Sequence, residues 1–208
     1  MYRSIPTANL EYFILSRGHS VIGIDEVGRG SLAGPVVAAV VLITEFSNFE
    51  LIKYIRDSKS LTPKKRQEAY NLITKAYKYA IGSATCKEID RYGIRYATYM
   101  AMQRAFLQLV SVINMGSYYI LVDGKKTVIK LPLHNVFYYS YGDSKIFSIA
   151  AASIVAKVYR DKLLNTLHKQ YPFYNWKRNK GYGTKEHKLA IKKYGRSPYH
   201  RMTFLSNI

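Results

Sequence analysis

The chain has 208 residues, 48% of them hydrophobic and 14% aromatic, which is enough to bury the core of one domain. Lysine and arginine number 32 against 13 acidic residues, and the resulting net charge of +19 favours a polyanionic partner such as nucleic acid. Cys86 is the only cysteine, which excludes an intrachain disulfide and fits the cytoplasm. Because we find no signal peptide and no run of about 18 apolar residues, we expect no membrane association.

Strand-like and helix-like segments alternate along the chain. The pattern predicts an arm or helix over 1–19, strands over 20–25 and 36–43, a helix from Pro63 to about Tyr77, a strand over 78–85, a helix over about 93–112, strands over 118–124 and 135–140, and helices over 146–170 and about 184–194. Thr62 is the predicted N-cap of the helix that begins at Pro63. This alternation indicates an α/β fold, in which residues 1–208 form one domain and about 165–208 a small helical appendage.

The helix over 146–170 has an unusual composition in its first half. Small side chains recur there, which would let the helix lie close to a sheet: Ser148, Ala150, Ala151, Ala152, Ser153 and Ala156.

Two adjacent carboxylates, Asp25 and Glu26, end the first predicted strand. Ionised groups at the end of a buried strand are desolvated and repel each other, and a divalent cation would relieve both effects. The following Gly28–Arg29–Gly30 loop exposes backbone N–H groups and adds a planar cationic donor, both of which suit a phosphate. Together these features point to metal-assisted chemistry on a phosphodiester.

Two further acids lie at corresponding places. Asp123 ends another apolar strand, and it would face the same crevice as Asp25 if the two strands were neighbours. For Asp143 two roles are open, as the cap of the following helix or as the fourth member of a carboxylate cluster. The spacing alone does not separate such a cluster, which would suit Mg²⁺ or Mn²⁺, from scattered surface acids.

A series of motifs between residues 20 and 204 resembles bacterial ribonuclease HII. These are GIDEVGRGSLAGPVVAA, DSKSLT, VDG, GDSKIFSIAAASIVAKVYRD, GYGTKEH and HRMTF, in the order that the family has them. The resemblance implies a ribonuclease-H-like mixed β-sheet flanked by helices. It also implies a metal-dependent endonuclease that uses Mg²⁺ or Mn²⁺.

The resemblance assigns roles to individual residues. The family's metal-binding catalytic acids fall on Asp25, Glu26 and Asp123, and its fourth acid falls on Asp143. Its phosphate and 2′-hydroxyl reader falls on the loop of Gly28, Arg29 and Gly30, and the tyrosine that checks the ribose–deoxyribose junction falls on Tyr182. Lys59 resembles a lysine near the scissile phosphate, and it is expected to contact substrate.

The implied substrates are RNA–DNA hybrids and duplex DNA that contains single ribonucleotides. Two-metal hydrolysis 5′ of the ribonucleotide would leave 5′-phosphate and 3′-hydroxyl ends. We expect a monomer. Ribonuclease HIII is one alternative, although that relative has a large N-terminal substrate-binding domain and only about 20 residues precede the first strand here. A non-catalytic, basic nucleic-acid-binding protein is the other.

For three remaining residues we expect no direct role in catalysis. We expect Asp161 to be a structural ion-pair partner, His187 to lie on a helix surface, and His200 to pack in the C-terminal region. The segment 177–188 combines basic and aromatic residues around Tyr182, which suits contact with a duplex backbone.

Overall fold

The computed structural model describes residues 6–46, 51, 54–55, 61–113, 116–125 and 135–206. Within them one five-stranded sheet is formed by β1 Ser20–Val27, β2 Val36–Ile43, β3 Lys78–Ala84, β4 Tyr118–Asp123 and β5 Val136–Tyr139. The strands lie in the order β3-β2-β1-β4-β5. Since β1 pairs antiparallel with β2 and parallel with β4, the sheet is mixed, as the family resemblance implied.

Helices cover both faces of this sheet. The α-helices of the described ranges are α1 Asn9–Leu15, α2 Pro63–Ala76, α3 Cys86–Val110, α4 Phe147–Gln170, α5 Trp176–Asn179 and α6 Lys185–Tyr194, of which α5 and α6 pack in a separate cluster. Buried residues of α2 and α4 share a core with one face of β1 and β2, and those of α3 share a second core with the other face. The α/β fold is therefore confirmed, and no helix in the described ranges is long and apolar enough to cross a membrane.

Most predicted helix boundaries agree with the structure, but α3 begins earlier than expected. It starts at Cys86, where Thr85 and Glu88 form a reciprocal capping box. Gly93, the predicted start, is a non-helical break inside the helix with φ of 79° and ψ of 155°. The prediction therefore located the part of α3 after Gly93 and missed the part before it.

The helix α4 lies directly against the centre of the sheet. A Cβ atom added at Gly23 of β1 would collide with the backbone of Ser148, so the approach depends on glycine. The prediction that small residues bring this helix close to the sheet is confirmed.

An acid far away in the sequence accepts a hydrogen bond from the N-terminus of α4. The N–H of Ser148 donates to Oε1 of Glu11, which is fully buried in α1, at 2.8 Å. The N-cap position itself is Ile146, and Asp143 lies in the preceding 3-10 turn. Asp143 is therefore not the N-cap residue of α4, and one free donor of the first turn pairs instead with Glu11, which is far away in the sequence.

The C-terminal residues pack against the loop that follows β1. A third apolar cluster joins Leu32 and Ala33 of that loop to Leu164 of α4, Trp176 of α5 and Ile191 of α6. This packing places the segment around Tyr182 beside the Gly28–Gly30 loop.

Candidate active site

Asp25 and Asp123 end up side by side because their strands are parallel neighbours. Ile24 pairs with Val122, so the acids occupy the next position on each strand. Alternation along a strand directs both side chains to the face that α4 covers. Asp25 is only 4% exposed, and it hydrogen-bonds Ser153 of α4. The predicted shared crevice is confirmed for this pair.

The 3-10 turn Gly142–Ser144 brings Asp143 to the same place. The N–H of Gly142 donates to Oδ1 of Asp123 at 2.7 Å, which ties the turn to the end of β4. Asp143 is buried, and its charge contributes to the raised pKa of Asp25. The turn therefore holds a third carboxylate against the two strand ends.

The four carboxylates are coupled electrostatically. Burial raises the pKa of Asp25 well above its ordinary value, and the charges of Glu26, Asp123 and Asp143 raise it further. Burial also raises the pKa of Glu26 to about 6, with Asp123 contributing, although Arg29 opposes the shift. Nη1 of Arg29 lies 3.3 Å from Oε1 of Glu26. One exposed cation therefore offsets only part of the repulsion in this group.

The chemistry of this donor set fits a hard divalent cation. All the candidate ligands, from Asp25, Glu26, Asp123 and Asp143, are carboxylate oxygens. One of them, Oε2 of Glu26, is buried without a hydrogen-bond partner. No group of three or more histidine, cysteine, aspartate or glutamate side chains in the described ranges is already arranged to hold an ion. Water and substrate phosphate oxygens would therefore have to complete the coordination of a bound ion.

Buried Arg201 holds the Gly28–Arg29–Gly30 loop from behind. Its guanidinium donates to the carbonyls of Gly28, Arg29 and Gly34 at 2.6, 2.8 and 2.8 Å. Because these carbonyls turn inward, the outer side of the loop is left to Arg29, whose side chain is 41% exposed, and to exposed Gly30. A Cβ atom at Gly30 would meet open space, so a ligand can approach the backbone there.

A second buried arginine, Arg160 of α4, joins this loop to Tyr182. Its three nitrogens donate to the carbonyls of Pro35, Ala33 and Lys180 at 2.9 to 3.0 Å. Its guanidinium carbon also lies 5.8 Å from the centre of the Tyr182 ring, which is 38% exposed. Tyr182 and the loop are therefore fixed relative to each other.

Sequence reasoning assigned no role to Arg160 or Arg201. Both lie inside motifs that carry the family resemblance, and that position was the only available signal. A fully buried arginine that binds backbone carbonyls has no characteristic spacing, so a basic surface was the simpler interpretation.

The expectation for His187 was wrong. Its side chain is fully buried, and its Nδ1 lies 2.9 Å from the carbonyl oxygen of Tyr182. Its Nε2 accepts from the indole N–H of Trp176 at 3.0 Å and lies 3.1 Å from Nε2 of His200. Burial lowers the pKa of both histidines, that of His200 to about 4. The two histidines are therefore neutral, and His187 supports the backbone of Tyr182. The packing role expected for His200 is confirmed.

Two further predicted residues have simple outcomes. Asp161 pairs with Nζ of Lys157 at 2.8 Å, which confirms a structural ion pair. Lys59 lies outside the described residues, so its predicted substrate contact stays a prediction.

Comparison with known proteins identifies related chains and folds. The family model described as Ribonuclease HII matches residues 22–207. A ribonuclease HII of Ehrlichia chaffeensis is 53% identical over 185 residues, which cover 89% of this chain and 85% of that protein. The ribonuclease H2 structure from Pyrococcus horikoshii OT3 has a TM-score of 0.70 at 26% identity, covering 90% of this chain and all of that one. A Bst-RNase HIII structure in complex with Mn²⁺ shares the fold, with a TM-score of 0.70 at 19% identity over 89% of this chain and 67% of that one.

The fold and these relatives define a nuclease of the ribonuclease H type. Within that class, the chain belongs to the ribonuclease HII family. The protein is accordingly an enzyme, and neither alternative, ribonuclease HIII or a non-catalytic binding protein, describes its family.

Proposed function

We propose that this enzyme hydrolyses the RNA strand of RNA–DNA hybrids and cuts 5′ of single ribonucleotides in duplex DNA. The observation that carries the proposal is the position of four mutually repelling carboxylates next to a loop that Arg160 holds together with Tyr182. Water adds to phosphorus as the bond to the 3′ oxygen breaks, which leaves a 5′-phosphate and a 3′-hydroxyl.

In this proposal Asp25 and Asp123 hold the divalent ions most directly. Glu26 helps to hold one ion through the buried oxygen that lacks a hydrogen bond, and Asp143 completes the second site. Mg²⁺ or Mn²⁺, when bound, would supply Lewis acidity at the phosphate and lower the pKa of water. The carboxylates keep the ions in a fixed place, and their own repulsion falls when the ions bind.

The Gly28–Arg29–Gly30 loop and Tyr182 decide where the enzyme cuts. The 2′-hydroxyl distinguishes RNA from DNA, and a glycine loop can approach it because no Cβ intervenes. Tyr182 stacks on the sugar of the neighbouring deoxynucleotide, and Arg29 neutralises the phosphate between the two. The inward-facing carbonyls bound by Arg201 support this assignment, since they leave the loop's outer side to the substrate.

We also propose that residues 1–208 form one monomeric catalytic domain with about 165–208 as its appendage, and that the enzyme acts in the cytoplasm. The core that joins residues 164–205 to the loop after β1 supports a single unit.

An Asp25→Asn variant tests the proposed roles of the carboxylates. We expect it to bind a ribonucleotide-containing duplex as the unchanged enzyme does, while cleavage in Mg²⁺ falls at least about 100-fold, because a direct ligand should matter at least as much as the partners that orient ligands. Product ends and initial rates, with and without Mg²⁺, are the measurements.

The matched control is Glu68→Gln, which removes one carboxylate charge at an exposed position of α2. It should leave the rate unchanged. Full activity of Asp25→Asn would contradict the assignment.

A further inference from the structure

A basic cleft lies between α2, α4 and α5, and its described lining residues do not include the four acids of the candidate active site. Side chains of α2, α4 and α5, together with Lys180, enclose a volume of about 370 Å³. Five cationic side chains and one acidic side chain are among its lining: Arg66, Lys162, Lys177, Arg178, Lys180 and Asp161.

Among the described lining residues other than Arg66, four lysine and arginine side chains accompany a single acid, Asp161. This acid is already paired with Lys157 at 2.8 Å. Nζ of Lys180 donates to Oδ1 of Asn165, a neutral group, at 2.7 Å. Burial lowers the pKa of Lys180, and the cations of Lys157, Lys177 and Arg160 lower it further, against the effect of Asp161. Gathering cations in this way costs folding free energy, which an anionic ligand would recover.

A hydrogen bond connects the cleft to the segment of Tyr182, one of the proposed substrate-recognition residues. Arg160 donates to the carbonyl of Lys180, and Tyr182 follows two residues later. Lys162 and Lys177 are exposed at the mouth of the cleft, on separate helices. Arg160 therefore holds the cleft and Tyr182 in a fixed arrangement, as simultaneous contact with one rigid duplex requires.

We propose that this cleft binds backbone phosphates of the duplex flank, on one side of the ribonucleotide and away from the cleaved bond. The inference rests on the proposed function for the nature of the substrate. The cleft contributes to affinity and not to chemistry, because none of the lining residues that the structure describes belongs to the carboxylate group.

The test uses a Lys162→Gln, Lys177→Gln double variant and three duplexes with one ribonucleotide each. One duplex is short, and the other two are extended on one side or the other. Fluorescence anisotropy without divalent ion gives Kd at several salt concentrations.

We expect that extending the duplex on one side lowers the Kd of the unchanged protein but not the Kd of the variant. The slope of log K against log salt should fall by about 1 to 2, since each lost phosphate contact removes about 0.9. The kcat in Mg²⁺ should stay unchanged.

The matched control is Lys87→Gln, Arg95→Gln, which removes two exposed charges from α3 on the opposite face of the sheet. Equal losses in both double variants would show an effect of net charge and overturn the proposal. An equal loss with the short and the extended duplexes would mean that the two lysines do not contact the flank, and it would also overturn the proposal. If the unchanged protein binds duplex but does not cleave it in Mg²⁺, the proposed function fails, while the length dependence still decides the role of the cleft.

Discussion

At the scale of single residues, the site is defined by side chains whose positions cost stability. Asp25 is buried among three other acids, and Oε2 of Glu26 is buried without a hydrogen bond. Neither arrangement helps the chain to fold, because each leaves a charge or polar atom poorly solvated. Residues placed in this way are the best candidates for direct roles in catalysis.

Tyr182→Ala should separate recognition of the ribonucleotide from general duplex binding. We expect kcat/KM at a single embedded ribonucleotide to fall roughly 10-fold or more, since aromatic stacking contributes about 1–3 kcal/mol. The Kd for all-DNA duplex should change much less, because the basic segment around Tyr182 is retained. Tyr194→Ala, at another exposed tyrosine on α6, is the control. Equal losses in kcat/KM and Kd would mean that Tyr182 only binds backbone.

At the scale of elements, two buried arginines organise the site without touching the proposed substrate. Arg201 fixes the loop after β1, and Arg160 joins that loop to the segment of Tyr182. Both guanidiniums are fully buried and held by carbonyl oxygens. Burial and the charge of Arg160 lower the pKa of Arg201 to about 10, which leaves it cationic at neutral pH.

Arg201→Lys should show that the planar fork, and not the charge alone, holds this loop. A lysine donates from one point and cannot reach three carbonyls in the same geometry. We expect the free energy of unfolding to fall by about 2–4 kcal/mol, which denaturant titration measures. Arg104→Lys, at a partly exposed pair with Glu88, should cost no more than about 1 kcal/mol. Equal stability of the unchanged protein and Arg201→Lys would contradict the clamp.

Local patterns predicted what depends on local physics. The β-branched runs located β1 and β2, and Thr62 was identified as an N-cap. Asp25 and Asp123 were placed at strand ends, but only the structure shows that these strands are neighbours. The contact of Glu11 with the start of α4 was not predictable, because its partner lies 137 residues away. The buried arginines and His187 were missed for a similar reason, since polar residues that satisfy distant backbone groups follow no periodicity.

At the scale of the whole molecule, the C-terminal residues bring Tyr182 next to the loop that follows the acidic end of β1. The His187–His200 pair lies at the centre of this contact, between Trp176, Ser197 and the carbonyl of Tyr182. Each ring nitrogen has a partner, and the pattern requires both rings to be neutral. Glu186 raises the pKa of His187, and Arg196 lowers that of His200, but burial dominates both.

This pair should make stability depend on pH. The unfolded pKa of His200 is near 6.5 and the folded pKa is about 4, so the unfolded chain binds more protons between these values. Stability from the neutral ring is complete above pH 6.5 and is lost as pH falls toward 4. The stability difference between the unchanged protein and His200→Gln should be about 1–2 kcal/mol larger at pH 7.5 than at pH 5. A pH-independent difference would contradict the neutral pair.

The most direct test of the central claim compares two duplexes that differ by one oxygen atom. The first is a DNA duplex with one ribonucleotide, and the second carries the deoxynucleotide at that position. With Mg²⁺, we predict a single cut 5′ of the ribonucleotide, with 5′-phosphate and 3′-hydroxyl ends, and no cut in the second duplex. Cleavage of both duplexes, or of neither, would contradict the proposal that this site cuts where it finds a 2′-hydroxyl.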